Sequence, residues 1–328
     1  VAARDPEYLA ILWERAAYLA AVAADAPVPG SAPPDDPHAP GVDEGAVVRY
    51  WREADRVLMG RVPRVPVDMA SLTVPGVAGD LAARLYRPTE DARTLLVFFH
   101  GGGWCYGDLD SYDPMARALA VATGAAVLSV AYRLAPEDPF PAGLDDASSV
   151  LAWALAGPAT LGADRVGVAG DSAGGNLATV AARRMRDAGR DNLACQLLIY
   201  PGVDLRSVPP HPDPDPLSAD DSTPADNVRR YLAGADPADP DVSPLLAPDL
   251  RGMPPTVLVT AEYDRYRAQG LAYGEALRAA GVAVTGIDAG GLDHGFLSAA
   301  PAAAVVRPVL DQLGAAVRAA LDSGAAVR

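Results

Sequence analysis

The run Gly170-Asp171-Ser172-Ala173-Gly174 fits the pattern G-x-S-x-G. The residues before it form a predicted buried strand, and the residues after it a predicted helix. A serine on such a sharp strand-to-helix turn exposes its Oγ at the carboxyl edge of a sheet. Glycines two residues away on either side allow the strand and the helix to pack closely around a strained backbone. The pattern therefore predicts that Ser172 is a nucleophile, with the Ala173 amide near the oxyanion that its attack would create.

A glycine-rich loop is the second chemical signal. The segment His100-Gly101-Gly102-Gly103-Trp104 follows directly after a predicted strand. Three consecutive glycines weaken any regular element, but they suit a backbone whose N–H groups must approach a ligand closely. Upstream of a G-x-S-x-G serine, such a loop is expected to form the other half of an oxyanion hole.

A nucleophilic serine needs a base, and the chain has four histidines. His38 and His211 lie in proline-rich segments, where we expect them to be exposed to solvent. His100 belongs to the glycine loop and is expected to hold that loop in shape. His294 follows the last predicted strand and lies C-terminal to the serine, so elimination and chain order select it as the base.

The carboxylate that orients this base is expected between Ser172 and His294 in the chain. Asp264 comes just after a predicted strand, at the sheet edge where the three groups must meet. Asp288 and Asp293 are rivals because they are close to the histidine in sequence. We predict Asp264 as the acid of a Ser-His-Asp triad.

The elements that must position these groups alternate along the chain from residue 95 onward. Short apolar runs predict strands at 95–99, 126–131, 166–169, 197–200, 256–260 and 282–287. Helices are predicted between them, near 113–123, 142–156, 174–188 and 267–280. Strands that are apolar on both faces and alternate with helices indicate a parallel sheet covered on both sides.

Three further regions complete the prediction. Two amphipathic helices are expected at 5–24 and 47–59, and the strands predicted at 65–74 and 81–86 fit an antiparallel pair. Between 204 and 241, prolines and aspartates surround a short helix, in a segment too long for an ordinary connection.

Composition excludes several classes of function. The 328 residues carry a net charge of −15, and the 27 basic residues are all arginine, so no basic surface is expected for nucleic acid or an anionic membrane. No apolar run is long enough to span a bilayer, and acidic residues interrupt the N-terminal stretch where a signal peptide would be apolar. Cys105 and Cys195 have neither a disulfide framework nor neighbours at metal-ligand spacing. We expect a reduced, cytoplasmic protein without a metal.

Several motifs together resemble the hormone-sensitive-lipase-like branch of the α/β-hydrolases, a family of esterases. The HGGGW loop and the GDSAGG turn are accompanied by YRLAPE at 132–137, PFP at 139–141, SPLL at 243–246 and HGF at 294–296. The resemblance covers roughly residues 60–315. It implies an α/β-hydrolase fold, with a mostly parallel sheet of about eight strands, helices on both faces and a helical cap.

The resemblance also implies a division of the chain. Residues 1–50 and an insertion at about 204–240 would form the cap, and residues 51–328 would form the catalytic domain.

The family further implies which amides bind the oxyanion, namely those of Gly102, Gly103 and Ala173. We also predict that Trp104 and Tyr106 contact the substrate. Cys105 and Tyr106 either line the mouth of the pocket or only pack against the cap.

Two positions depart from the family pattern. The family usually continues its catalytic aspartate as Asp-Pro-Leu-x-Asp, whereas Asp264 is followed by Arg265-Tyr266-Arg267. The loss of the proline and of the second carboxylate leaves the local turn and the substrate preference open. Asp138 stands where the family commonly has a histidine, and we expect this to be a surface change.

These observations predict a serine esterase that hydrolyses small or short-chain carboxylic esters through an acyl-enzyme, without a cofactor. The expected partner is a small ester, and the oligomeric state is left open, with a homodimer as one option because the family often forms dimers. Two alternatives remain. The first is a non-hydrolytic tailoring enzyme of the dehydratase or cyclase type. The second is a small-ligand receptor, against which His294 argues because the receptor relatives lose this histidine.

Overall fold

The computed structural model describes residues 6, 8–10, 43–212, 222–299 and 303–325. Its strands are β1 (Asp68–Pro75), β2 (Asp80–Arg87), β3 (Thr94–Phe99), β4 (Ala126–Val130), β5 (Arg165–Asp171), β6 (Gln196–Ile199), β7 (Thr256–Tyr263) and β8 (Val284–Asp293). Its helices are α1 (Glu44–Met59), α2 (Asp113–Thr123), α3 (Ala142–Ala156), α4 (Ala173–Asp187), α5 (Ser222–Leu232), α6 (Arg267–Ala279), α7 (Phe296–Ala299) and α8 (Arg307–Ala325).

The eight strands form one sheet in the order β1-β2-β4-β3-β5-β6-β7-β8. Strand β2 pairs antiparallel with both β1 and β4, and every other neighbouring pair is parallel. This is the mostly parallel sheet of about eight strands that the sequence predicts, including the antiparallel pair at its start. Parallel strands direct their carboxyl ends to one edge, and the turns that follow β3, β5, β7 and β8 therefore meet there.

The core lies in two layers because β3 is apolar on both faces. Leu95, Val97 and Phe99 belong to one buried cluster, and Leu96 and Phe98 to the other, as the alternation of side chains along a strand requires. Helices α3, α4 and α6 pack into the first cluster, and α2 and α8 into the second. The sheet is therefore covered on both faces.

Two helices outside this sandwich are joined to each other. Helix α1 begins after Asp43, whose side chain caps it by accepting the Ala46 N–H at 3.2 Å. Glu44, in its first turn, pairs with Arg229 and Arg230 of α5, at 2.9 and 3.0 Å. Because these groups are 185 or more positions apart in the chain, the ion pairs bring α1 and α5 together in space.

The helix expected at 5–24 and the centre of the 204–240 insertion lie largely outside the described residues. The predicted division at residue 50 falls inside α1, and the assignment of cap and catalytic domain stays a prediction. The C-terminal helix α8 was not predicted. Within the described ranges, no helix is both long and apolar enough to cross a membrane.

Candidate active site

Ser172 occupies the turn between β5 and α4 in a strained backbone conformation. Its φ is 51° and its ψ −117°, a region that residues other than glycine rarely adopt. The Ser172 N–H donates to the Ile199 carbonyl at 2.8 Å, and its own carbonyl accepts the Asn176 N–H at 3.1 Å. These bonds to β6 and α4 hold the strained residue in place, so the predicted turn is present.

The two outer glycines of the motif are required by close approach. A Cβ on Gly170 would lie 2.1 Å from the Gly174 carbonyl oxygen, and one on Gly174 would lie 1.9 Å from the Phe99 carbonyl oxygen. Both contacts are with backbone, which cannot swing aside. A larger residue at Gly170 would force β5 and α4 apart, and one at Gly174 would force α4 away from the end of β3. Either change would displace the serine.

The structure brings the three predicted triad residues together. Ser172 Oγ lies 2.8 Å from His294 Nε2, and His294 Nδ1 lies 2.9 Å from Asp264 Oδ2. The carboxylate of Asp264 is fully buried, whereas the imidazole is 27% exposed. The histidine thus connects a buried anion with a hydroxyl group at the wall of a cavity.

The two rival aspartates are placed differently. Asp288 forms an ion pair with Arg267 and accepts the Thr260 hydroxyl at 2.7 Å, so its carboxylate is engaged elsewhere. Asp293 is the last residue of β8, and the ion pair of His294 is with Asp264.

The departure from the family sequence after Asp264 still forms a tight turn. The free oxygen of the Asp264 carboxylate accepts the Tyr266 N–H at 2.8 Å, and its carbonyl accepts the Arg267 N–H at 3.1 Å. The Tyr266 ring lies edge-on to the imidazole of His294, with centroids 5.1 Å apart. Hydrogen bonds that the aspartate itself accepts therefore hold the turn without a proline.

The glycine loop has the backbone that its sequence suggests. Gly102 and Gly103 have φ values of 104° and 58°. A Cβ would lie 2.4 Å from the Tyr106 carbonyl oxygen at Gly102 and 2.7 Å from Asn227 Nδ2 at Gly103. Both glycines line the same cavity as Ser172 and Ala173. This arrangement is compatible with the predicted oxyanion hole.

His100 has the surroundings of a structural residue. Its Nδ1 lies 2.8 Å from the Gly101 carbonyl oxygen, and its ring stacks on Tyr132 with centroids 4.5 Å apart. The Tyr132 hydroxyl donates to the His100 carbonyl at 2.7 Å. Burial lowers the pKa of His100 to about 4, which keeps the imidazole neutral, and these contacts fit the expected role in holding the loop.

Asp171 is a buried acid beside the nucleophile. Burial raises its pKa to about 7, against the opposing effect of the Gly101 N–H, which donates to Oδ1 at 2.7 Å. This bond joins the serine turn to the glycine loop. The sequence motif contains the residue, but composition and spacing gave no sign of its altered acidity.

The cavity in front of Ser172 has a volume of about 610 Å³. Trp104 and Tyr106, which are predicted to contact the substrate, line it, whereas Cys105 is fully buried and is absent from the lining. Trp104 stacks on Tyr231 of α5, with centroids 4.5 Å apart and planes inclined by 10°. Cys105 therefore packs in the core, where burial raises its pKa to about 12.

The sequence did not predict the lining residues that come from helices α1 and α5 and from the turn after Asp264. These are Val47, Trp51, Asp55, Pro224, Asp226, Asn227, Arg230 and Arg265. Those on α1 recur at intervals of four, the spacing of one helix face. That spacing is a usable signal, but it does not indicate which face covers a cavity. Arg265 donates to the Pro209 carbonyl at 3.2 Å.

The comparison with known proteins agrees with this geometry. A family model described as the alpha/beta hydrolase fold matches residues 96–298. The chain belongs to the α/β-hydrolases. This hydrolase is 42% identical over 248 residues to carboxylic ester hydrolase LipN of Mycobacterium tuberculosis, a match covering 72% of the chain and 66% of LipN, just under two thirds of that relative.

Other relatives are matched over more of their length. Carboxylesterase NlhH of the same organism is 41% identical over 260 residues, or 74% of this hydrolase and 80% of NlhH. An esterase structure from Pyrobaculum calidifontis has 33% identity and a TM-score of 0.79, covering 96% of this hydrolase and 98% of that chain. These matches confirm the prediction of a carboxylesterase-type member of the hormone-sensitive-lipase-like branch.

Proposed function

We propose that this hydrolase is a serine esterase that cleaves small carboxylic esters through Ser172, His294 and Asp264. The observation that carries the proposal is the unbroken series of contacts from the Ser172 hydroxyl to the His294 imidazole to the Asp264 carboxylate, with separations of 2.8 and 2.9 Å. Ser172 lies at a cavity that is large enough for a small ligand.

The proposed reaction has two steps. His294 Nε2 accepts the Ser172 proton as Oγ bonds to the ester carbonyl carbon, and the Asp264 carboxylate stabilises the resulting imidazolium. The tetrahedral intermediate then collapses, and its alcohol leaves with the proton from His294. Water adds to the acyl-enzyme in the same way and releases the carboxylic acid and free Ser172.

The oxyanion of each intermediate is proposed to accept hydrogen bonds from the amides of Gly102, Gly103 and Ala173. Gly102 and Gly103 have positive φ values and line the cavity beside Ser172, and Ala173 is the first residue of α4, where helix amides lack intrahelical partners. Each such donor typically contributes roughly 3–4 kcal/mol to the transition state.

The test is Ser172→Ala, assayed with p-nitrophenyl esters from acetate to decanoate. We expect wild-type hydrolysis to be fastest with short acyl chains, and the variant to lose both hydrolysis and labelling by a fluorophosphonate. Ser149→Ala is the matched control, because that serine is half-buried on α3, its hydroxyl donates to the Pro75 carbonyl, and it does not line the cavity. Turnover that survives in Ser172→Ala would exclude the proposed nucleophile.

The same assay decides between the esterase and the alternatives. The receptor reading is disfavoured because the histidine that receptors lose lies in contact with Ser172 here. A dehydratase or cyclase would turn over none of the esters. The homodimer and the cytoplasmic location stay predictions, which sedimentation and cell fractionation would test.

A further inference from the structure

The wall of the cavity formed by α5 contains a buried amide side chain. Asn227 is 7% exposed and lines the cavity. It packs directly on the glycine loop, because a Cβ on Gly103 would lie 2.7 Å from Asn227 Nδ2 and 3.0 Å from Asn227 Cβ. The side chain therefore adjoins the proposed oxyanion hole.

The orientation of this amide is fixed by a neighbour that can only donate. Arg230 Nη1 donates to Asn227 Oδ1 at 3.2 Å, and a guanidinium offers no acceptor, so the oxygen must face Arg230. The nitrogen then faces Gly103. Among the residues that the structure describes, none accepts a hydrogen bond from Nδ2. Because Asn227 lines the cavity, this donor is available to a ligand bound there.

Arg230 is itself held from the other outer helix. Its guanidinium is 5% exposed, and its Nε donates to Glu44 Oε2 at 3.0 Å. The carboxylate of Glu44 compensates the charge of Arg230, so the group presented beside Gly103 is a neutral amide donor. A neutral donor matches an uncharged oxygen acceptor on the ligand.

We propose that Asn227 Nδ2 donates a hydrogen bond to the substrate, and that the enzyme prefers esters with a second oxygen acceptor close to the scissile carbonyl. Ether, keto, hydroxyl or second ester oxygens satisfy this requirement. Arg230 is a positioning residue that orients the amide, and Glu44 holds Arg230. This inference rests on the proposed esterase function and adds the substrate class.

Isosteric ester pairs test the proposal. On the acyl side, p-nitrophenyl methoxyacetate is compared with p-nitrophenyl butyrate. On the alcohol side, 2-methoxyethyl acetate is compared with butyl acetate. Within each pair an ether oxygen replaces one methylene. The preference of an enzyme is its kcat/KM for the oxygen-bearing ester divided by its kcat/KM for the matched ester. Dividing the wild-type preference by that of a variant cancels the intrinsic reactivity of the esters.

Asn227→Asp keeps the shape of the side chain and its contact with Arg230 but removes the donor. We expect the preference for the oxygen-bearing ester to fall about three- to tenfold in at least one pair, the loss of one net hydrogen bond. Asn227→Leu should give the same loss. An unchanged ratio in both pairs with Asn227→Asp would overturn the proposal.

A second comparison isolates the positioning role. Arg229 and Arg230 are adjacent on α5 and both pair with Glu44, but only Arg230 contacts Asn227. Arg230→Met should lower the preference, whereas Arg229→Met should leave it unchanged. Equal effects of the two variants would contradict the positioning role, since general loosening of α5 would then explain both.

Failure of this proposal is distinguishable from failure of the proposed function. If wild type hydrolyses butyrate, Ser172→Ala does not, and the Asn227 variants keep the ratio, only the assignment of Asn227 is overturned. If wild type hydrolyses no ester of either pair, the esterase function fails and the substrate preference fails with it.

Discussion

Two aspartates of the site are buried in different surroundings. Asp264 is buried against an imidazole and a backbone N–H, whereas Asp171 is fully buried beside the nucleophile with a pKa raised to about 7. Below that pKa, the protonated Asp171 can itself donate a hydrogen bond. We therefore expect Asp264 to affect catalysis and Asp171 to affect the pH dependence of stability.

The catalytic prediction concerns the acid of the triad. Asp264→Asn should lower kcat by about four orders of magnitude, because an amide would favour the wrong tautomer of His294 and could not stabilise its cation. Steady-state kinetics with p-nitrophenyl acetate measures this loss. Asp288→Asn is the control and should stay within about threefold of wild type. If Asp264→Asn lowers kcat by less than tenfold, Asp288 or Asp293 becomes the candidate for the acid of the triad.

The thermodynamic prediction concerns Asp171. The unfolded chain releases this proton near its ordinary pKa of 3.8, whereas the folded chain keeps it until about pH 7. The folded state therefore binds more protons in this window, and its free energy of unfolding falls with rising pH, by at most about 1.4 kcal/mol per pH unit. Asp171→Asn removes this decline, so its stability relative to wild type should rise between pH 4 and 7.

Denaturant unfolding at several pH values measures the effect. Asp288→Asn provides a control of opposite sign, because the Arg267 guanidinium holds the pKa of Asp288 below its ordinary value. The stability that Asp288 contributes is present at neutral pH and is lost on acidification. If the difference in free energy of unfolding between wild type and Asp171→Asn does not change with pH, the raised pKa of Asp171 is contradicted.

The sequence predicted the triad but not Asn227, for a physical reason. Ser172 and the glycines are specified by local backbone geometry, and His294 and Asp264 by their order after strands, so motif and spacing suffice. Asn227 acts through the packing of α5 on the glycine loop, a contact between segments more than 120 positions apart. No local pattern records such a contact.

Among the elements, α2 and α8 approach unusually closely. A Cβ on Gly314 of α8 would lie 1.9 Å from the Ala122 carbonyl oxygen at the end of α2. Glycine in a helix interior normally lowers helix stability, so its presence here is explained by this backbone contact. Both helices contribute side chains to the buried cluster that covers the second face of the sheet.

Gly314→Ala should therefore destabilise the fold, although the same change in an open helix would stabilise it. Overpacking of this kind typically costs about 1–3 kcal/mol, which denaturant unfolding would detect. Asp311→Ala, on the exposed side of the same helix, should change the free energy of unfolding by less than about 0.5 kcal/mol. An increase in stability for Gly314→Ala would show that the two helices can separate at little cost.

Strand existence was easier to predict than strand length. The final strand was expected at 282–287, but β8 runs to Asp293, since β7 continues to pair with it up to Tyr263 and Asp293. The added residues include two glycines, which have little intrinsic preference for strands. Pairing with a neighbour, not local preference, extends this element.

The net charge of −15 gives the whole molecule a negative electrostatic potential, which acts on charged substrates as they approach. Clefts lined by one sign of charge alter the local concentration of charged ligands, and salt screens that effect within about 8–10 Å. Asp55 and Asp226 lie in the cavity lining, although Arg230 and Arg265 lie there too. The overall excess therefore disfavours the approach of anions.

An anionic ester should accordingly be hydrolysed faster as salt is added. We expect kcat/KM for the p-nitrophenyl monoester of succinic acid to rise severalfold between low and physiological ionic strength, whereas that for p-nitrophenyl acetate should stay constant. A decrease with salt for the anionic ester would mean that the arginines of the cavity dominate the field.

The stack of Trp104 on Tyr231 joins the glycine loop to α5. Its indole is buried, with planes nearly parallel to the phenol ring, and it lies one residue from the proposed oxyanion amides. Any movement of α5 away from the loop would transfer this indole toward water and shift its emission to longer wavelength. The chain therefore contains an intrinsic fluorophore at the contact between α5 and the glycine loop, whose emission would report any separation of the two without an attached dye.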